Sequence, residues 1–367
     1  MAGTPHPVLA VDERFRGYLS PNAWTLCVGA GISKGIAPEW YDLTFEVVRE
    51  SFGNGIKESD FSELVKDSGW TLDSWIQAAA NAHLLKGGLP EEFKDLIESK
   101  LYAKIRDKAK GMGIERHLTK VLNYPKNEPK DRVIEVCNLI ESAFPNSSLV
   151  QIAETLIQAA KSGHGPKAVL TFNADTFLET FIDLRLRRDH YLGPGPHGHP
   201  NYSYVQVTRP ANASGSKIPI IHCHGCVAPR WSSVKNPRDS RDRLVFLEQE
   251  YLAMAESGAA WAETVFLYHA QSTKLVFAGL SMSDTNIRRW MSAMNLERAK
   301  DRHIFEYADR PNPDHIWIRP RPKEEIACEL LLSSLHHLGI RPAWISSWSD
   351  LGRGLSNLSA VPIVSTK

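Results

Sequence analysis

Four short clusters of glycine and polar residues stand directly after apolar runs, and their residue types suit a nucleotide. The run Trp24-Thr25-Leu26-Cys27-Val28 feeds into Gly29-Ala30-Gly31-Ile32-Ser33. Glycines there let a backbone turn sharply and approach a pyrophosphate, and a helix starting next supplies N–H donors and a positive dipole end. The third glycine of the usual G-x-G-x-x-G is missing, since Lys34 takes its place. Thr171-Phe172-Asn173-Ala174-Asp175, His222-Cys223-His224-Gly225 and Gly279-Leu280-Ser281-Met282-Ser283-Asp284 close three later runs. Ligands of an open parallel sheet bind beyond the carboxyl ends of its strands, so these four clusters can ring one crevice. In such a crevice the Asn173 amide offers donors and acceptors without adding charge. His224, with an unperturbed pKa near ~6.5, can accept a proton at neutral pH.

Plainer roles compete for the same residues. Asp175 and Asp284 each precede an expected helix and suit an N-cap. His222 and His224 share a face if their strand continues, where a histidine is often a hydrogen-bonded core residue; His222 then reads as a partner of His224. Cys223 and Cys226 form one C-x-x-C between histidines, but alternation turns Cys223 away from both, and no second ligand pair follows. Arg288 and Arg289 suit either a phosphate or a solvated helix face.

The elements that must position these clusters follow from periodicity. Between the glycine turn and residue 165 apolar residues recur at helical spacing, as in Trp40, Leu43, Val47 and Val48, then Trp75, Ala78, Ala79 and Leu84. Further helices are expected over Glu91–Lys108, Arg132–Ser142 and Leu149–Ala160. From Lys167 strands and helices alternate. Strands are expected at 168–172, 218–223, 274–278, 303–307 and 342–345, with helices at 175–188, 248–256, 260–271, from about 285, and 323–338. Alternation of this kind predicts an α/β, doubly wound, mostly parallel sheet of the Rossmann-like type with a large helical insertion. The expected division is a nucleotide-binding domain from 1–43 and 166–367 and a helical insertion or cap from 44–165. Two loops, Gly193–Pro200 and Arg230–Arg241, read as mobile surface segments.

Composition narrows the partners. Forty-three Lys+Arg against 42 Asp+Glu leave a formal charge of +1 over 367 residues, so no global field argues for nucleic acid or an anionic membrane. No stretch approaches a membrane span and the first residues lack a basic, then apolar, leader, so a soluble cytoplasmic protein is expected. Five scattered cysteines are expected to be reduced thiols.

Taken in order, the four clusters resemble the sirtuin family over roughly residues 20–360. Gly29-Ala30-Gly31-Ile32-Ser33 matches its G-A-G-I-S residue for residue. Thr171, Asn173 and Asp175 match T-Q-N-I-D, and His224-Gly225 matches its histidine–glycine pair. Phe172 and Ala174 replace Gln and Ile, Ala37-Pro38-Glu39-Trp40 replaces D-F-R, and the deacylases' paired C-x-x-C zinc module is missing. The chain is most similar to a zinc-less prokaryotic branch, fitting its Pro-x-Trp, Asp175-Thr176-Phe177-Leu178-Glu179 and Gly279 to Asp284 features. Enzymes of that branch hydrolyse NAD, commonly as effectors of anti-phage defence.

The resemblance implies NAD as substrate, no zinc, Asn173 and His224 as catalytic residues, and Gly29, Ala30, Gly31, Ser33, Asp175, Gly279, Ser281 and Asp284 as NAD-binding residues. It also implies control by homo-oligomerisation or by a partner in trans: a DNA-translocating ATPase, a short Argonaute-like protein or a phage protein. Two other readings stand beside it, an NAD-dependent protein deacylase and a nucleotide-sensing module without turnover.

Overall fold

The computed structural model describes residues 15–53, 55–145, 147–193, 204–207, 217–230, 239–256, 260–304 and 315–360. The expected α/β sheet is present. Seven described strands, β1 (Trp24–Val28), β2 (Ala168–Thr171), β3 (Tyr204–Val207), β4 (Ile218–His222), β5 (Lys274–Ala278), β6 (His315–Pro320) and β7 (Ile340–Ile345), form one sheet in the order β3-β4-β2-β1-β5-β6-β7. Every pairing is parallel. The chain leaves β1 for β2 on one side and later returns to place β5 on the other, so the strand order reverses at β1. A doubly wound sheet opens its ligand crevice at such a point.

Strand alternation sends successive side chains to two separate cores. Leu26, Val28, Val169, Ile220, Val276 and Ile316 face one, and Cys27, Leu170, Ile221, Phe277 and Trp317 face the other. Both faces are covered, which is why β1 is an uninterrupted buried run. The second core is closed by α10 (Glu248–Glu256), α11 (Trp261–Ser272), α12 (Thr285–Ile304) and α13 (Glu325–His336). The first is closed by α9 (Phe177–Leu192), α14 (Leu351–Ser359) and the helices between β1 and β2. Those are α1 (Trp40–Phe52), α2 (Glu58–Ser68), α3 (Leu72–Leu85), α4 (Pro90–Leu101), α5 (Ala103–Gly111), α6 (Glu115–Asn123), α7 (Lys130–Ala143) and α8 (Ser148–Lys161). Their apolar residues belong to the same cluster as the sheet's, and α1 runs across the boundary expected at residue 44.

Three local expectations differ from the fold. The helix expected over Glu91–Lys108 is broken at Tyr102, whose side chain is buried in the first core. Of the strand expected at 303–307, residues 303 and 304 belong to α12 and the rest lies outside the described residues; the strand beside β5 is β6, whose His315-Ile316-Trp317-Ile318 run is buried. Most of the two expected mobile loops lies outside the described residues, but Arg241 is buried and fixed by Asp95 and Asp239. No described helix is long and apolar enough to cross a membrane.

Candidate active site at the carboxyl edge of the sheet

Strand register sets the four clusters side by side. Val28 lies opposite Thr171 on one flank and Ala278 on the other, and Thr171 lies opposite His222. Each cluster therefore leaves the sheet at the same level.

The glycine cluster is built differently from the expectation. Ala30–Ser33 is a single 3-10 turn and α1 starts at Trp40, so no α-helix opens at the glycines. The Gly31 N–H is already taken by the Gly279 carbonyl at 2.9 Å, and that of Gly29 by Ala278 at 3.2 Å. A Cβ on Gly31 would sit 2.8 Å from the Gly279 oxygen, and one on Gly29 2.5 Å from Leu280 Cδ2. Gly279 itself has φ +66° and presses on Ile32. These glycines let two loops interlock at the point where strand order reverses, a use of close approach that their pattern in sequence cannot distinguish from contact with a phosphate. Ala30 is exposed in this turn and Ser33 is buried.

Ser33 joins the first cluster to the second. Its hydroxyl accepts from Asn173 Nδ2 at 3.3 Å. The Asn173 N–H donates to Thr171 Oγ1 at 3.2 Å, while its Oδ1 is buried with no hydrogen-bond partner. Asp175 Oδ1 accepts from the Phe177 N–H at 3.0 Å, but the N-cap position expected of it belongs to Thr176, whose side chain makes no cap. Burial pushes the Asp175 carboxyl up to about 6, against the pull of the Phe177 hydrogen bond.

His222, the last residue of β4, holds Asn173 from behind. Its Nδ1 meets the Asn173 carbonyl at 3.3 Å and its Nε2 meets Glu179 Oε1 at 3.0 Å. Both neighbours are acceptors, so the geometry suits an imidazolium. Burial would pull its pKa down, but Cys226 and Glu179 outweigh burial and hold it well above the ordinary histidine value. Glu179 was visible in the sequence as part of a motif, but its pairing with His222 was not.

His224 occupies the turn after β4, made possible by Gly225 at φ +69°, where a Cβ would lie 2.6 Å from the Arg243 carbonyl. The imidazole stands between two aromatic rings, edge to face with Phe172 at 5.0 Å and with Tyr251 at 5.4 Å. Burial lowers its pKa, partly offset by Asp284, so at neutral pH the ring is uncharged. Its Nε2 has no partner. A buried polar atom without a partner is costly, and two of them on neighbouring strand ends fit a site made for a polar ligand or water.

The fourth cluster lies more open. Gly279 is half-buried, Ser281 is exposed and bonds Ser283, and Met282 takes φ 56°. Asp284 Oδ1 caps α12 through the Asn286 and Ile287 N–H groups at 2.8 and 3.1 Å, so its capping role is real and stands beside its reach to His224. Arg288 bonds the Met282 carbonyl, and Arg289 bonds the Ala255 carbonyl and pairs with Glu263. Cys223 packs in the second core whereas Cys226 meets Ser240 Oγ at 3.3 Å, so the C-x-x-C does not converge. Among the described residues no group of histidine, cysteine and carboxylate side chains could hold a metal ion.

Two residues that no motif marked brace the site from the insertion and from α10. The Tyr102 hydroxyl accepts from the Thr176 N–H at 2.9 Å, meets Thr176 Oγ1 at 3.0 Å and donates to the Val227 carbonyl at 2.9 Å. It thereby ties the loop of Asn173 to the loop of His224. Tyr251 walls His224 from the other side.

Residues 167–341 match the family model of the SIR2-like domain. No curated protein matches the chain. The matched span starts just before β2, so the Gly29–Ser33 turn lies ahead of it, joined to it by the pairing of β1 with β2 and β5. Three of the four strand-end clusters fall inside the matched span, so this part of the parallel doubly wound sheet is similar to a SIR2-like domain.

Proposed function

We propose that the chain hydrolyses NAD at the nicotinamide–ribose bond, giving nicotinamide and ADP-ribose. The observation that carries this reading is the pair of buried, unpartnered atoms, Asn173 Oδ1 and His224 Nε2, on neighbouring strand ends beside the Gly29–Ser33 turn. The bond broken joins ribose C1′ to a leaving group that is already cationic, so no strong acid is needed. Water supplies the oxygen that bonds C1′, and its proton passes to Nε2 of the uncharged His224. Asn173, held by Ser33, Thr171 and His222, orients that water or the ribose hydroxyls through Oδ1. Ala30, Ser33, Gly279 and Ser281 border the diphosphate and adenosine, with Gly29 and Gly31 shaping their loops. Asp175 and Asp284 face the ribose end.

The enclosure of His224 by Phe172 and Tyr251 favours water over an acylated peptide as the acceptor. We further infer a cytoplasmic NAD-depleting effector of prokaryotic anti-phage defence, with residues 44–165 as the cap through which self-assembly or a partner in trans controls it. An unrestrained NAD hydrolase would poison its own cell, which is the reason for expecting such control. The test is incubation with NAD, with and without an acetylated peptide, following nicotinamide and the acetyl group. Nicotinamide release that needs no peptide supports hydrolysis; release that requires the peptide, with acetyl transfer, would establish the deacylase instead.

A further inference from the structure

Arg319 stands beside the site with no anion to hold it. On β6 Ile318 lies opposite Ala278, so Arg319 leaves the sheet level with Gly279, where only β7 still pairs with it, through Trp344. Its guanidinium lies over the Trp317 ring at 4.5 Å, and the Trp317 indole N–H donates to the Leu280 carbonyl at 2.8 Å. Leu280 Cδ2 in turn fills the space that a Cβ on Gly29 would need. Printed side by side in the fold, these contacts run unbroken from the glycine turn to Arg319. Leu280, Phe172 and Tyr251 pack against the same core as Trp317, so Arg319 and His224 border one face of the sheet.

Among the described residues the Arg319 side chain forms no hydrogen bond or ion pair, and its Nε is buried. Burial lowers its pKa, and what opposes burial is Cys328, not a carboxylate. The segment that follows, Pro320-Arg321-Pro322-Lys323, adds only positive charge, and Arg321 takes Glu325 for itself. A guanidinium drawn partly out of water and left unpaired favours an anion, and its planar fork matches a phosphate. Strand order says which phosphate. Asn173 and His224 follow β2 and β4 on one side of the reversal at β1, so a dinucleotide whose reacting ribose lies there carries its adenosine across β5 towards β6. At ~4.8 Å per strand, β6 runs about 10 Å from β1, beyond the diphosphate and at the far ribose. An acidic side chain at that ribose takes its hydroxyls in sites for NAD, whereas an arginine accommodates a 2′-phosphate.

We propose that Arg319 forms a subsite for a phosphate monoester on the adenosine ribose, so that the chain takes NADP in preference to NAD. This rests on the reading of hydrolysis at the nicotinamide–ribose bond and adds to it a specificity residue outside the four strand-end clusters.

The test is calorimetric binding of ADP-ribose and 2′-phospho-ADP-ribose to the full chain and to Arg319→Gln, beside nicotinamide release from NAD and NADP. The two ligands differ only in the phosphate. The wild type should bind the phosphorylated one at least about tenfold tighter, the scale of one charge-assisted contact, and should cleave NADP with the higher kcat/KM. Arg319→Gln should bring both ratios to about one with its melting curve unchanged. No preference in the wild type, or an undiminished one in Arg319→Gln, overturns the inference, and nicotinamide release from NAD then leaves the hydrolysis reading standing. If the binding preference holds but neither dinucleotide yields nicotinamide, the hydrolysis reading falls and the subsite stands. Binding of neither ligand overturns both. Should Arg319→Gln fail to fold, Arg319→Lys takes its place: it keeps the charge, loses the fork and should lower the binding ratio by about threefold or more, and an unchanged ratio overturns the inference equally.

Discussion

Tyr102→Phe removes one oxygen from the protein and tests whether the insertion holds the site in register. That hydroxyl is the hydrogen-bond partner of the Thr176 N–H, the Thr176 hydroxyl and the Val227 carbonyl, all of them buried. The Thr176 hydroxyl can turn elsewhere, but the N–H and the carbonyl are fixed by the backbone and lose a partner outright. Each such group costs about 1–2 kcal/mol, so the variant should lose about 2–4 kcal/mol of stability. At about 2 °C per kcal/mol for a chain of this size, the thermal midpoint should fall by about 4–8 °C. Thr176 follows Asp175 and Val227 follows the His224 turn, and the two loops are otherwise tied by the Val227 N–H to the Ala174 carbonyl at 2.7 Å. Loosening them should misplace Asn173 against His224, and a shift of about 1 Å at reacting groups costs on the order of 100-fold in rate. Turnover with NAD, measured below the lowered midpoint beside a melting curve, reads both effects. If kcat stays within about twofold of wild type while the midpoint drops as calculated, Tyr102 is a core residue and does not position the site.

Three further outcomes follow from the geometry. Gly31→Val should lower the melting midpoint as well as NAD binding, because its Cβ would meet the Gly279 backbone at 2.8 Å; weakened binding with unchanged stability would show that the glycine faces ligand alone. Because burial depresses His224, turnover should hold its plateau on acidification through the ordinary histidine range near ~6.5 and fall only below it, as the base takes up its proton. A fall that begins above pH 7 would assign proton transfer to another group. Purified protein should carry well under one zinc per chain, and a chelator should leave melting and NAD cleavage unchanged; tightly held zinc would revive the deacylase reading.

The strand-end clusters were legible because each follows a short run of residues buried on both faces, and parallel register then leaves little freedom in where Asn173 and His224 emerge. The capping of α12 by Asp284 was likewise visible in local sequence. What escaped depends on contacts distant in the chain. Tyr102 bonds Thr176 and Val227 across two helical elements, and nothing at residue 102, neither glycine nor proline, marks the break between α4 and α5. Tyr251 sits on an ordinary helix, α10, and its place against His224 is not marked by any local pattern. The glycine turn was ambiguous for a different reason. Close approach to a ligand and close approach to a neighbouring loop demand the same residue, and here the loop at Gly279 is the observed neighbour.

The most direct measurement is nicotinamide release from NAD by Asn173→Ala and His224→Ala, set beside ADP-ribose binding to the same proteins. Each substitution removes a side chain whose free polar atom is aligned by its neighbours, Ser33 and His222 for Asn173, and Phe172 and Tyr251 for His224. Turnover should fall by at least ~100-fold in each, the scale of losing an oriented polar group, with ADP-ribose binding retained. Near wild-type release in both variants would contradict NAD hydrolysis by this pair, whatever the fold that carries them.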